Sequence, residues 1–102
     1  MNALKLTDGE KASYIAMLDQ KLREVSQDYN MITEIHDAVC RGDKREIDYQ
    51  FNQLMAICKK EDGETVGFLK WAALTLISKR KISAPTKQRL DSVLGKVTTI
   101  IN

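Results

Sequence analysis

The chain has 102 residues, 43% of them hydrophobic, and a net charge of +2, which suits one domain with a modest core. It has no apolar run of about 18 residues and no apolar signal-peptide core near its start, so no membrane segment is predicted. We expect a single cytoplasmic domain over residues 1–102, with both cysteines reduced.

The low content of turn-forming residues favours helices. One proline and five glycines are fewer than a β-rich domain of this length usually needs. We therefore predict an all-α fold of four helices, or five if the first helical stretch is broken. In this scheme residues 7–41 form a long coiled-coil-like helix, and residues 43–102 form a compact three-helix head.

The first helix has clear start and stop signals. Thr7 and Glu10 have the spacing of a capping box, in which each side chain bonds the backbone N–H of the other residue. No glycine or proline occurs between Lys11 and Arg41, and Gly42 is suited to a left-handed C-cap. These signals predict a helix over residues 7–41.

Apolar side chains recur along this stretch at alternating intervals of three and four residues, as in a coiled-coil seam. The seam positions are Ile15, Leu18, Leu22, Val25, Tyr29, Ile32, His36 and Val39. An unbroken helix of roughly 33 residues would be about 50 Å long, more than a domain of this size needs, so we expect the seam to form a homodimer or a higher oligomer. The alternative is a break near Asp28-Tyr29-Asn30, where helix propensity is poor.

The next helix is predicted to begin at Asp43, with Glu46 three residues later, and to end near Lys59-Lys60. One of its faces is apolar, at positions Ile47, Phe51, Leu54, Met55 and Cys58.

Residues 66–77 are apolar on nearly all sides, which is typical of a central, buried helix. We expect most of the core of the head to come from this helix, through Phe68, Leu69, Trp71, Ala72, Leu76 and Ile77. Its small residues, including Gly67, would allow close packing.

The last helix is predicted to begin after Ser83, a suitable N-cap, with Pro85 in the first turn, where a missing N–H is tolerated. Its buried stripe comprises Leu90, Val93, Leu94, Val97 and Ile101.

The sequence offers no catalytic or cofactor-binding set. His36 is the single histidine, and no Ser or Cys motif in the sequence pairs with it as a catalytic nucleophile. Cys40 lies four residues later, and Asp43 or Cys58 could be further metal ligands. This set falls short of a structural zinc site, which usually has four Cys or His ligands. Leu94-Gly95-Lys96-Val97-Thr98 lacks the Ser or Thr that must directly follow the lysine of a phosphate-binding loop. We therefore expect a non-enzyme without a metal, cofactor or small-molecule substrate.

Residues 79–89 carry five positive charges and no negative charge. More broadly, residues 1–64 have nine Lys/Arg against thirteen Asp/Glu, whereas residues 65–102 have seven Lys/Arg against one Asp. Such a chain can pair with itself or present its basic end to an anionic partner. The predicted partner or nucleic-acid contacts are Lys79, Arg80, Lys81, Thr86, Lys87 and Arg89.

Part of this segment resembles the turn and recognition helix of bacterial helix-turn-helix regulators. The matching positions are Ile82, Ser83, Thr86, Arg89 and Leu90. The sequence departs from the pattern at three packing positions, with Lys81 for the turn glycine, Ile77 for a small residue and Lys87 for an apolar one. The resemblance implies DNA binding by residues 79–89.

We expect a small regulatory or adaptor protein that acts by binding another protein, as a homodimer. The alternative is a nucleic-acid-binding transcriptional regulator that uses the basic segment at 79–89.

Overall fold

The computed structural model describes residues 4–78 and 81–95, and most of these residues are helical. The all-α prediction is confirmed, with five α-helices in the described ranges. These helices are α1 (Asp8–Val25), α2 (Tyr29–Arg41), α3 (Lys44–Ile57), α4 (Gly63–Ser78) and α5 (Ala84–Leu94). A single 3₁₀ turn, Lys60–Asp62, precedes α4, and two short strands, β1 (Leu4–Lys5) and β2 (Lys81–Ile82), complete the described elements.

The predicted helix caps are present. Thr7 Oγ1 accepts a 3.0 Å hydrogen bond from the Glu10 amide, and Glu10 Oε1 accepts one of 3.2 Å from the Thr7 amide, which completes the capping box. The side chains of Asp43 and Ser83 cap α3 and α5 by accepting a hydrogen bond from the amides of Glu46 and Thr86. Gly42 ends α2 at φ 69°, in the left-handed conformation that a residue with a Cβ adopts only with strain.

The prediction of an unbroken helix over residues 7–41 is wrong, and the alternative prediction of a break near residues 28–30 is confirmed. Helix α1 ends at Val25 and α2 begins at Tyr29. Ser26 Oγ accepts from the Asp28 amide at 3.1 Å, and Asp28 Oδ1 accepts from the Met31 amide at 3.1 Å. These side chains satisfy N–H groups that a continuous helix would bond to backbone carbonyls. The longest extent of the molecule, 38 Å, is also shorter than the unbroken helix would be.

Helix α4 is the centre of the core, as its composition predicts, and packs against each of the other four helices. Its fully buried residues are Val66, Leu69, Ala72, Ala73 and Leu76. The expected core role of three other residues needs correction, because Phe68 is 39% exposed and Trp71 and Ile77 are only partly buried. Helix α4 has four neighbours but is apolar all round, so some of its apolar side chains remain at the surface.

The two strands pair in antiparallel register, with Leu4 opposite Ile82 and Lys5 opposite Lys81. This pairing joins the segment before α1 to the connection between α4 and α5. Leu6 and Ile82, at 3% and 2% exposure, enter the core beside it. The sequence pattern did not predict this contact.

Helix α5 buries Leu90 and Leu94 and partly buries Val93, so the predicted apolar stripe is confirmed at these three positions. Val97 and Ile101 lie outside the described residues. None of the helices in residues 4–78 and 81–95 combines the length and hydrophobicity that a membrane span requires.

Candidate functional site

A cationic and aromatic surface forms where α4 and α5 pack together. The Cζ atom of Arg89, on α5, lies 4.2 Å from the ring centroid of Trp71 and 5.8 Å from that of Phe68, both on α4. Both distances are within the range of cation–π attraction. Arg89 and Phe68 are exposed and Trp71 is partly buried. We call Phe68, Trp71 and Arg89 the Arg89 surface.

The helical pattern of α4 explains why its two aromatic residues reach the surface. Phe68 and Trp71 are three residues apart, so they lie on one face of the helix. Glu64, Thr75 and Ser78 fall on the same face, which makes it the least apolar side of α4. The apolar composition of residues 66–77 predicted a core position for both aromatic residues, and the three polar neighbours are the sequence signal that points the other way.

The charge of Arg89 is not neutralised within the described chain. No carboxylate in residues 4–78 or 81–95 forms an ion pair with it. Residues 65–90 contain no Asp or Glu at all. The guanidinium therefore stacks on Trp71 while its N–H groups have no anionic partner in these ranges.

Lys70, also on α4, differs from Arg89 because its charge is used inside the fold. Its Nζ lies 3.5 Å from Asp48 Oδ1 and donates to Asn52 Oδ1 at 3.3 Å, which ties α4 to α3. Lys44 bonds the other oxygen of Asp48 at 3.0 Å. The hydrogen bond from Lys44, with the nearby charge of Lys70, lowers the pKa of the Asp48 carboxyl.

The remaining predicted contact residues occupy several positions around the α4–α5 connection. Lys81 is exposed on β2, directly opposite exposed Lys5, and Lys87 is half-buried on α5. Thr86 is part of the helix cap, since its hydroxyl lies 2.9 Å from Ser83 Oγ and its amide donates to the same atom at 3.3 Å. Lys79 and Arg80 lie outside the described residues.

The described part of the connection between α4 and α5 contains strand β2 (Lys81–Ile82), which pairs with β1. A helix-turn-helix joins its two helices by a short turn of three or four residues. The structure therefore places the segment that resembles a recognition helix after a connection of a different kind.

Most of the predicted seam lies inside the chain. The residues buried in its own core are Ile15, Leu18, Leu22, Ile32 and Val39. Val25 and His36 are partly buried, and Tyr29 is 55% exposed. The break at residues 26–28 resets the register, so α2 buries Ile35 and Ala38 where the continuous seam would have buried His36.

The His36–Cys40 pair is close but isolated, with Nε2 and Sγ 4.0 Å apart. Cys58 lies on another element, where its thiol donates to the Met55 carbonyl. Within the described ranges no three His, Cys, Asp or Glu side chains come together as a possible metal site.

A polar cleft of about 440 Å³ opens where the α1–α2 connection meets the end of α3. Arg23 of α1 and Ile57 of α3 line the cleft, and Ile57 is 60% exposed. The guanidinium of Arg23 is held by Asp19 at 2.9 Å and lies 5.4 Å from the Tyr29 ring centroid. Arg23 is thus already paired, unlike Arg89, although Lys59 also lines the cleft.

Comparison of the chain with protein-family models, with curated proteins and with solved structures finds no significant match.

Proposed function

We propose that this chain is a small cytoplasmic adaptor or regulatory protein, without enzymatic activity, that binds another protein through the Arg89 surface. The observation that carries the proposal is the stacking of the exposed Arg89 guanidinium 4.2 Å above Trp71, with no carboxylate paired to it in the described chain.

The chemistry of the three residues supports protein recognition. Tryptophan and arginine are the side chains that most often dominate the free energy of protein–protein binding. An arginine stacked on a ring keeps its N–H groups available in the guanidinium plane, where they can bond a carboxylate bidentately. Because Trp71 already restrains Arg89, less conformational entropy is lost on binding. The expected partner presents Asp or Glu beside an apolar side chain that contacts Phe68.

The test compares the proteins captured from native cell extract by the parent chain and by Arg89→Glu. Arg45→Glu is the matched control, because Arg45 is exposed on α3 and lies outside the Arg89 surface. We expect the parent and Arg45→Glu to capture the same protein, before and after nuclease treatment, and Arg89→Glu to lose it. Capture of that protein by Arg89→Glu at the level of the parent would contradict the proposal.

A second candidate, nucleic-acid binding, is favoured by the lysines on the strand pair. Lys5 and Lys81 are directly opposed, an arrangement of like charges that is unfavourable without an anion between them. Binding to phosphates would be steeply salt-dependent, and Lys5→Gln with Lys81→Gln would reduce the slope. Salt-independent binding, or a slope unchanged in this variant, would exclude these lysines from phosphate contact.

A further inference from the structure

Charged residues are segregated along the chain into two opposite stretches. Residues 24–40 contain four carboxylates and no Lys or Arg, whereas residues 65–90 contain six Lys or Arg and no carboxylate. All four carboxylates are exposed, at positions Glu24, Asp28, Glu34 and Asp37. The acidic stretch therefore presents negative charge to the solvent, and the exposed cations of the basic stretch, among the described residues, are Lys81 and Arg89.

Two of the four carboxylates are already engaged. Glu24 pairs with Lys21 at 3.6 Å, and Asp28 caps α2. The other two lie one helical turn apart on the outer face of α2. Glu34 has no ion pair within the described ranges, and the partner of Asp37 is the His36 ring at 3.8 Å, which is charged only when protonated. Glu34 and Asp37 are thus available to a cation from outside the molecule.

We call the outer face of α2 with Glu34 and Asp37 the acidic face. The acidic face and the Arg89 surface belong to different parts of the fold. Helix α2 packs on α1, α3 and α4, whereas α5 packs on α1 and α4. Arg89, Glu34 and Asp37 are all exposed, and no ion pair joins the two surfaces within the described residues of one molecule. Two copies of the chain can bring them together.

We propose that the Arg89 surface of one copy binds the α2 face of a second copy that carries Glu34 and Asp37. This inference rests on the proposed function, since it assigns a partner to the same surface. Arg89 bonds a carboxylate from α2, and exposed Tyr29 adds aromatic area at the start of α2. The contact joins two different surfaces, so it builds chains or rings and leaves the buried seam residues inside each copy.

Sedimentation of the parent chain at different salt concentrations gives the first measurement. At low salt we expect an average mass above that of the monomer, falling towards the monomer in about 0.5 M salt, because exposed charges are screened. A parent chain that stays monomeric at low salt would overturn the inference.

Complementation of two variants gives the sharper measurement. Arg89→Glu keeps the α2 face with Glu34 and Asp37 intact, and Glu34→Gln with Asp37→Asn keeps the Arg89 surface intact without creating a basic face that Glu at position 89 could bind. We expect each variant alone to be monomeric and their mixture to form a 1:1 heterodimer that grows no further, because it contains one functional contact. A mixture that remains monomeric would overturn the inference.

Matched charge changes elsewhere control for net charge. Lys60 and Glu61 are exposed in the 3₁₀ turn, away from both surfaces. Lys60→Glu and Glu61→Lys should associate like the parent, and loss of association in either would attribute the effect to overall charge.

The two proposals fail in different ways. A monomeric parent whose Arg89→Glu variant loses a captured protein overturns self-association and leaves the proposed function standing. A heterodimer in the mixture, together with unchanged capture by Arg89→Glu, supports self-association and overturns the proposed function.

Discussion

The hydroxyl of Tyr14 donates a 2.6 Å hydrogen bond to Asp91 Oδ1, linking α1 to α5 across 77 positions of the chain. The Tyr14 side chain is 1% exposed, whereas Asp91 lies at the edge of the core and remains partly exposed. The bond lets a tyrosine pack in the interior while its polar atom reaches a charged acceptor.

Tyr14→Phe should lower the free energy of unfolding by about 1–2 kcal/mol, because a hydrogen bond to a charged group is lost but water can still reach Asp91. Urea denaturation followed by circular dichroism measures the change. Tyr49→Phe is the control, since Tyr49 is 58% exposed, and it should leave stability unchanged. Equal effects of the two substitutions would show that the Tyr14–Asp91 bond contributes nothing.

Alkaline pH should destabilise the fold through Tyr14. Burial, and then the hydrogen bond and charge of Asp91, raise the pKa of Tyr14 above its ordinary value. The unfolded chain releases this proton at about pH 10, but the folded chain retains it. The contribution of Tyr14 to the free energy of unfolding is therefore fully present below that pH and is lost as the pH rises above it. Denaturation between about pH 9 and about pH 11 should show a steeper loss for the parent than for Tyr14→Phe. Parallel curves would contradict the raised pKa.

Leu22→Ala should cost about 2–5 kcal/mol, because Leu22 is fully buried within one chain. In about 0.5 M salt, where charge-driven association is screened, the unfolding midpoint should not depend on protein concentration. Tyr29→Ala, at the exposed position of the predicted seam, should have a much smaller effect. A concentration-dependent midpoint under these conditions would indicate that the seam joins two chains.

Two glycine substitutions should change stability in opposite directions. Gly67 lies within α4 and has nothing within 4 Å of where a Cβ would stand, so the expected tight packing there is absent. Gly67→Ala should stabilise the protein by up to about 1 kcal/mol.

Gly95 ends α5 at φ 74°, and an added Cβ would lie 2.8 Å from Lys21 Cε. The lysine side chain can move, but the backbone strain remains, so Gly95→Ala should destabilise by about 1 kcal/mol. Thermal unfolding of both variants beside the parent provides the comparison, and shifts of the same sign would contradict it.

Helix ends were predictable because their chemistry is local. The Thr7–Glu10 pair, Gly42 and Ser83 act within a few residues of where they stand, and all appear as expected. The break after Val25 was harder to predict, because the three-and-four spacing of apolar residues continues across it without glycine or proline. Its cause is the competition of the Ser26 and Asp28 side chains for backbone N–H groups, which hydrophobic spacing does not register.

The candidate site was only half predictable. The basic segment at 79–89 identified Arg89 as one of the predicted partner contacts. Its contact with Trp71 depends on how α5 lies against α4, a relationship between residues 18 positions apart that no local pattern specifies.

The strand pair and the Tyr14–Asp91 bond also constrain how the protein is made. Near the start of the chain, Leu4 and Lys5 pair with β2 and Tyr14 bonds Asp91 of α5, and these two partner elements leave the ribosome last among the described elements. A nascent chain that has reached only α4 therefore holds α1 with part of its apolar face open to water. The contacts between α1 and α5 can therefore form only after residues 84–94 have been translated, and until then the apolar face of α1 is partly exposed, as is common in folding intermediates.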